Sequence, residues 1–505
     1  MAASIISLSV LALLTIHCSF VNSSPISSVH QVNEKLFSAN AAETVSRLHR
    51  LQQNKNVAKN VILFLGDGMS ISTVAMARVY AGGVEKQLAF ERFPYIGMSK
   101  TYNVDYQVPD SAGTVTAYLT GVKGNYGTIG VNAQVKAFDC QAELDNRTHT
   151  HSIAKWAMDA GKDAGFVTTT RVTHASPAGV YAHTANRDRE NDNEVSKDGC
   201  DKDLVQDIAH QLVHGDTGKR LKVIMGGGRR EFLHKDLDPE TEKTGKRKDK
   251  RNLIDEWLNL AGEGENRTYV WNRDDLMAVD PKATDRLMGL FEPSHCVYNL
   301  NRIRDNLHQE PTLAEMVDKA TDVLRKNENG FFLFVEGGLI DRGHHDTWAR
   351  MALDETVEFS KAIQLAREKF PEEDTLIVVT SDHSHAVSFA GFPGRTDDIF
   401  GSAGTADDQL PYMTISYGNG LGFYDHVDAG VSRGRVDIRR LDTTQNEFRF
   451  PATLPLESET HGGEDVAVYA SGPWSHLFTG SYEQNTIPHM MAYALCVGDG
   501  LTACK

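Results

Sequence analysis

Four short runs of the chain combine carboxylates with imidazoles. They are Gly66-Asp67-Gly68, Glu336-Gly-Gly-Leu-Ile-Asp341-Arg-Gly-His344-His345, Asp382-His383-Ser384-His385 and His461-Gly-Gly-Glu464. Carboxylates crowded at one place oppose each other's ionisation, and divalent cations remove that conflict. Mixed Asp and His ligands suit Zn²⁺, while oxygen-only sets suit Mg²⁺ or Ca²⁺. Taken singly, an Asp after a strand is more often a turn or cap residue, and His344-His345 reads equally as a solvated helix start. Four such runs, each beside a buried strand, point together to a metal centre.

Two further residues extend the chemistry. Ser111, in Val108-Pro-Asp110-Ser111-Ala-Gly-Thr114, falls where a turn meets a helical run. A helix N-terminus favours an anion, so Ser111 is either a plain N-cap or a nucleophile. With no histidine near it in sequence, a zinc ion is the expected means of activating its hydroxyl. Arg187 follows His174-Ala-Ser176-Pro and could clamp two phosphate oxygens with its planar fork, with Arg189 as a nearby competitor.

The elements that must position these residues are legible as apolar runs. Strands are expected at 61–65, 165–168, 221–225, 331–335, 376–380, 412–417 and 466–470, and helices at 152–160, 202–213, 312–326 and 345–369. Thr114 to Leu119 also reads as helix, and residues 25–56 as one or two amphipathic surface helices. Continuous apolar runs mark strands buried on both faces, and their alternation with helices predicts a doubly wound, mostly parallel α/β sheet. Ligands bind at the carboxyl ends of strands in such sheets, which is where the four clusters fall. The charged stretch 241–251 is expected as a solvated loop, and 391–459, rich in Gly, Asp and Arg, as an inserted subdomain.

The composition, 40% hydrophobic and 24% charged, excludes both disorder and a membrane bundle. A net charge of −16 argues against a nucleic-acid partner. An anionic substrate would then need local positive charge from metals or arginines. The apolar run Ile5 to Ile16, followed by Ser19, Asn22, Ser23 and Ser24, reads as a signal peptide over residues 1–23. The chain ends without a hydrophobic tail, so no lipid-anchor signal is expected, and the mature protein, 24–505, is expected to be secreted and soluble. In an oxidising compartment some of Cys140, Cys200, Cys296, Cys496 and Cys504 should pair. Cys496–Cys504 would close a small loop and Cys140–Cys200 is a second pair, with other pairings open. Asn146-Arg-Thr and Asn266-Arg-Thr are glycosylation acceptors if exposed.

Taken in order, several strings resemble the alkaline phosphatase family, its animal members more than its bacterial ones. They are Phe64-Leu-Gly-Asp67-Gly-Met, Pro109-Asp-Ser111, Thr168-Thr-Thr-Arg-Val, His174-Ala-Ser176-Pro-Ala-Gly, Phe331 to Glu336-Gly-Gly, Asp382-His383-Ser-His and Thr460-His461-Gly-Gly-Glu-Asp-Val-Ala-Val. The resemblance runs from about residue 55 to residue 504. It implies hydrolysis of phosphate monoesters through a seryl-phosphate on Ser111, with two zinc ions, one magnesium and one calcium per chain. Asp341, His345 and His461 would hold the first zinc. Asp67, Asp382, His383 and Ser111 would hold the second. Asp67, Ser176 and Glu336 would hold magnesium, with His174 close by and Arg187 gripping the phosphate. Glu240, the Phe291 carbonyl, Glu292 and Glu310 would hold calcium. The resemblance also supports the Cys140–Cys200 and Cys496–Cys504 pairs, and implies a homodimer capped by a crown subdomain at 391–459.

Two departures from the family pattern are visible. Arg342 stands where animal members usually carry histidine, and Thr120 replaces a common free cysteine. A phosphodiesterase or sulfatase of the same broad fold is the nearest competing reading, but Ser111-Ala-Gly-Thr-Val does not fit the sulfatase pattern. A secreted, non-catalytic binding glycoprotein is the second, and retention of every ligand and the nucleophile argues against it.

Overall fold

The structure is a computed structural model that describes residues 34–236, 245–428 and 434–504. The expected signal peptide, 1–23, lies outside the described residues. Residues up to Gln52 and from Gln53 onward form two separate compact units. The first contains the helix Glu34–Arg50, whose last turn carries Arg47, His49 and Arg50, basic residues at the end where the helix dipole favours positive charge.

The second unit is built on a ten-stranded sheet. In chain order its strands are β1 Asn60–Gly66, β2 Tyr95–Lys100, β3 Asp163–Arg171, β4 Val223–Gly227, β5 Arg267–Val270, β6 Arg286–Leu290, β7 Phe331–Gly337, β8 Thr375–Thr380, β9 Val466–Ser471 and β10 Gly480–Glu483. Their spatial order is β10-β2-β9-β8-β1-β7-β3-β4-β6-β5. All neighbours run parallel except β9, which is antiparallel to both β8 and β2.

The apolar runs are continuous because each central strand feeds two cores. On β1, Val61, Leu63 and Leu65 pack into one core, while Ile62 and Phe64 pack into the other. The first core includes Ala112, Val115 and Leu119 of helix α2, Ser111–Thr120; the second includes Val74, Met76 and Ala77 of helix α1, Ile71–Gly82. The second also takes Phe359, Ile363 and Ala366 from helix α4, Ala349–Lys369. The sheet is thus doubly wound, as expected.

Several boundaries differ from the sequence reading. The helix expected over 345–369 is two helices, α3, Leu339–His345, and α4. Thr347 takes a positive φ of 57° between them, a left-handed residue that ends a helix. The helix expected from Lys202 begins only at Ile208, where the Asp207 carboxylate accepts from the His210 N–H. The run 412–417 breaks into Pro411–Met413 and Ile415–Asn419, in two small sheets outside the main one. The stretch 245–251 is not simply solvated. Arg247 is 1% exposed and pairs with Asp207 at 2.9 Å and Asp249 at 2.5 Å, and a buried charge must be paired in this way. Among the described residues, no helix is long and apolar enough to cross a membrane.

Candidate metal and phosphate site

Parallel register brings the clusters together. Leu65 of β1 sits opposite both Glu336 of β7 and Thr380 of β8, and Glu336 sits opposite Thr168 of β3. Asp67 therefore leaves β1 beside Glu336 on one side and Asp382 on the other. Asp341 and His345, four residues apart on α3, share one helix face. His461 arrives through a short antiparallel pairing of His461–Gly462 with Ser384–His385.

Among the described residues, three groups have ligating atoms within 4.8 Å of one another: Asp341, His345, His385 and His461; Asp67, Asp382 and His383; and Asp67, His174 and Glu336. In the first, His345 Nδ1 donates to the Glu459 carbonyl at 2.6 Å and His461 Nδ1 to the Pro109 carbonyl at 2.7 Å. A carbonyl only accepts, so each Nδ1 carries the proton and each Nε2 presents a lone pair. Those two Nε2 atoms stand 3.1 Å apart, and His461 Nε2 is 3.4 Å from Asp341 Oδ1. Nitrogens facing one another beside a carboxylate are an arrangement that a bound cation would satisfy.

The second group repeats the pattern. His383 Nδ1 donates to the Ser384 carbonyl at 3.2 Å. Its Nε2 faces Asp382 Oδ2 at 3.2 Å, Asp67 Oδ1 at 3.5 Å and Ser111 Oγ at 3.2 Å. Both Asp67 carboxylate oxygens, Glu336 Oε1 and Ser176 Oγ are buried without a hydrogen-bond partner. Such atoms are costly to leave unpaired, and all belong to residues expected to bind metal. Glu336 Oε2 accepts from Thr170 Oγ1 at 3.0 Å and from Thr168 Oγ1, which leaves only Oε1 facing the group.

The electrostatics reflect the crowding of buried carboxylates. Burial, then the neighbouring Asp382, Asp341 and Glu336, pushes the Asp67 carboxyl well above its ordinary range. Burial also raises Asp382, and pushes Glu336 up to about 7. Burial holds His383 well below the usual imidazole range, so it is neutral and available as a ligand. At Asp341 burial opposes ionisation, but the imidazoles of His345, His385 and His461 gathered around it outweigh that and hold the carboxyl low.

His385 is not a free ligand. Its Nε2 meets Asp341 Oδ1 at 2.8 Å and its Nδ1 meets Glu459 Oε2 at 2.5 Å. Both nitrogens therefore donate to carboxylates. Burial works against the charge, but Glu459 and Asp341 raise the ring to about 10. His385 orients Asp341 in the way that residues behind a metal ligand do. Neither it nor Glu459 was identified as a site residue from sequence; the Asp382-His383-Ser-His string contained the signal for His385, while Glu459 carried none.

Ser111 is not an N-cap. Asp110 is, its carboxylate accepting from the Gly113 N–H at 3.1 Å. Ser111 is the first helical residue, and its hydroxyl is free to face His383. The histidine that sequence proximity could not supply comes from 272 residues away. Arg187 Nη1 donates to Asp110 Oδ2 at 3.1 Å, and Nη2 lies 3.4 Å from His174 Nε2. Arg189, its competitor, is fully buried and paired with Glu143 and Asp198, which removes it from the site. His344 also turns away, with Nε2 2.9 Å from Thr73 Oγ1 and Nδ1 2.9 Å from the Tyr417 hydroxyl.

Of the expected calcium ligands, Glu240 lies outside the described residues. Glu310 accepts from the Val297 N–H at 3.0 and 3.1 Å. Burial, then Glu292 and Glu355, pushes its carboxyl up to about 8. The Glu292 carbonyl accepts from the Gly228 and Arg229 N–H groups, and Phe291 is buried. Cys140 pairs with Cys200 and Cys496 with Cys504, while Cys296 is free and buried. Asn146 and Asn266 are both exposed, but the Asn266 side-chain amide already donates to the Ala283 carbonyl at 2.6 Å.

The alkaline phosphatase family pattern matches residues 58–497. A membrane-bound alkaline phosphatase of Bombyx mori is 46% identical over 482 residues, covering 92% of this chain and 86% of its own. The tissue-nonspecific alkaline phosphatase of Rattus norvegicus is 47% identical over 478 residues, covering 92% and 89%. Among solved structures, the Thermus thermophilus alkaline phosphatase superposes with a TM-score of 0.62 at 22% identity, covering 90% of this chain and 96% of that one.

Proposed function

The chain belongs to the alkaline phosphatase family and is a phosphomonoesterase; from that premise we propose that it works through a seryl-phosphate on Ser111 in a two-zinc, one-magnesium site. Asp341, His345 and His461 hold the first zinc, and Asp67, Asp382, His383 and Ser111 the second. Asp67, Ser176 and Glu336 hold magnesium. The observation that supports this reading is the gathering of facing imidazole nitrogens and orphan carboxylate oxygens in adjoining groups, with His383 Nε2 of one group 3.2 Å from Ser111 Oγ. When bound, the cations supply Lewis-acid charge that makes serine and water better nucleophiles and offsets charge on the phosphoryl oxygens.

The chain's own groups account for the rest. Ser111 Oγ attacks phosphorus in line with the ester oxygen. The P–O bond to the alcohol breaks, its electron pair leaves with that oxygen, and the alcohol departs after protonation. Water then attacks the seryl-phosphate from the vacated side; the Oγ–P bond breaks with its electron pair left on Oγ, Oγ takes up the proton that water gives up, and inorganic phosphate leaves. Arg187, held by Asp110, presents its fork to the equatorial oxygens in both steps. His174 and Asp110 fix that fork from either side.

Around this core we infer a calcium ion at Glu240, Phe291, Glu292 and Glu310, a homodimer with 391–459 as its crown, and export. The two disulfides and the N-terminal apolar run support export. The test is the Ser111→Ala variant, assayed on a monoester, a diester and a sulfate ester, with zinc and magnesium counted. Turnover of the monoester should fall by about 10³-fold or more and no phosphoenzyme should be trapped, with metal retained. Wild-type turnover in the variant would refute the covalent route, and a preference for the diester or sulfate would refute the substrate class.

A further inference from the structure

Away from the catalytic groups, three imidazoles gather around the segment 129–132. Ile129 bridges to Thr184 and Val131 bridges to His149, so this segment carries His149 on one side and His183 on the other. The approach is close because residue 130 is glycine. Its φ is +63°, and a Cβ there would stand 2.0 Å from the Ala182 carbonyl oxygen. The His149 and His183 rings are 4.3 Å apart between centroids, and the His151 and His183 rings 5.6 Å.

We propose that His149, His151 and His183 form a separate surface site for one borderline transition-metal cation, of which zinc is the representative. His149 Nε2 lies 2.7 Å from the Glu143 carbonyl, which can only accept. The proton is therefore on Nε2, and Nδ1 offers a lone pair. An imidazole donating one N–H to a backbone carbonyl while its other nitrogen stays free is the usual state of a metal-ligating histidine. His183 is anchored through its backbone. Its N–H donates to Gln211 Oε1 at 2.8 Å, and Gln211 Nε2 donates to its carbonyl at 3.0 Å.

His151 is exposed, and binding would draw its ring toward the other two, because the three ligating nitrogens do not all lie within 4.8 Å of one another. Burial holds His183 well below the usual imidazole range and lowers His151, so both are unprotonated ligands near neutrality. The charged groups facing His151 are Lys155, Asp159 and Asp216. Lys155 is paired with Asp159 at 2.8 Å, which reduces its repulsion of a cation. An all-nitrogen set selects zinc, nickel or copper over magnesium and calcium.

The experiment titrates zinc into the enzyme as isolated, with its own metals in place, by calorimetry with metal analysis after dialysis. The variants are His151→Ala and His149→Ala/His151→Ala, whose unchanged melting and unchanged turnover at low zinc certify the fold. Wild type should take one zinc more than the double variant. His151→Ala should weaken that extra binding at least about tenfold, and excess magnesium should not compete. Isotherms and zinc content unaltered by either variant, or an extra site that magnesium displaces, would overturn the proposal.

Discussion

At the residue scale, the distinction between a ligand and the residue that aims it rests on where protons sit. His345 and His461 each give their Nδ1 proton to a carbonyl and keep a lone pair for metal, while His385 gives both protons to carboxylates. Removing His385 should therefore not remove a ligand but release one. In His385→Ala, Asp341 loses its orienting donor and Glu459 is left buried without its partner. Zinc affinity should fall by about 10–100-fold, with kcat restored by added zinc, measured as activity against free zinc in a metal buffer. If zinc affinity stays at the wild-type value, His385 is not a positioning residue. The same ring explains Gly68, whose φ is +66° and whose Cβ would lie 2.3 Å from His385 Nε2. Gly68→Ala should cost about 1–2 kcal/mol from the left-handed backbone alone, read by denaturant unfolding, and should lower zinc affinity in the same direction as His385→Ala.

At the element scale, what the sequence made legible was whatever local pattern decides. The central strands β1, β3, β7 and β8 stand out as apolar runs because both faces are buried, and the clusters that follow them announced the site. The edge strands β5 and β10, and β2 and β6 next to them, escaped notice; partial exposure breaks the apolar run in β2, which mixes buried, half-buried and exposed positions, while β6 is buried but only five residues long. The break between α3 and α4 was equally hidden, since nothing in Asp346-Thr347-Trp348 requires a left-handed threonine. Glu459 and the partners of Arg247 were invisible for a different reason: their meaning lies in tertiary pairs 74 and 40 residues apart. Arg247 is the sharpest case, a charged side chain in a charged stretch that proves to be buried. Arg247→Ala should destabilise the fold by about 3–5 kcal/mol, because Asp207 and Asp249 stay behind unpaired. Equilibrium unfolding in urea tests this, and a loss below 1 kcal/mol would mean that water replaces the guanidinium.

At the scale of the whole molecule, the proposed cations bear on how stability depends on pH. Without cations, Glu310 and Glu355 are each pushed up to about 8, by burial first and then by neighbouring carboxylates, apart from backbone donors that pull them down. A carboxyl raised in the folded state keeps a proton that the unfolded chain has already lost. Unfolding then releases protons, and stability falls as pH climbs from the unfolded carboxylate range, near 4.3, to about 8. His385 acts in the same direction higher up. Its folded pKa of about 10 lies above the unfolded imidazole value, so its stabilisation is complete below about 6.5 and is lost as pH rises through 10. The stripped protein should therefore lose stability steadily between about pH 6.5 and 10, with no group on this list opposing the trend. Bound divalent cations remove the cause, because they take the place of the protons and favour the ionised carboxylates. Thermal unfolding in chelator should show a melting temperature that declines across this interval. The same scan with zinc, magnesium and calcium restored should be higher throughout and flatter. A stripped protein as stable at pH 9.5 as at pH 6.5 would mean that the buried carboxylates relax into water when the ions leave, and that bound cations do not govern the stability of this fold at high pH.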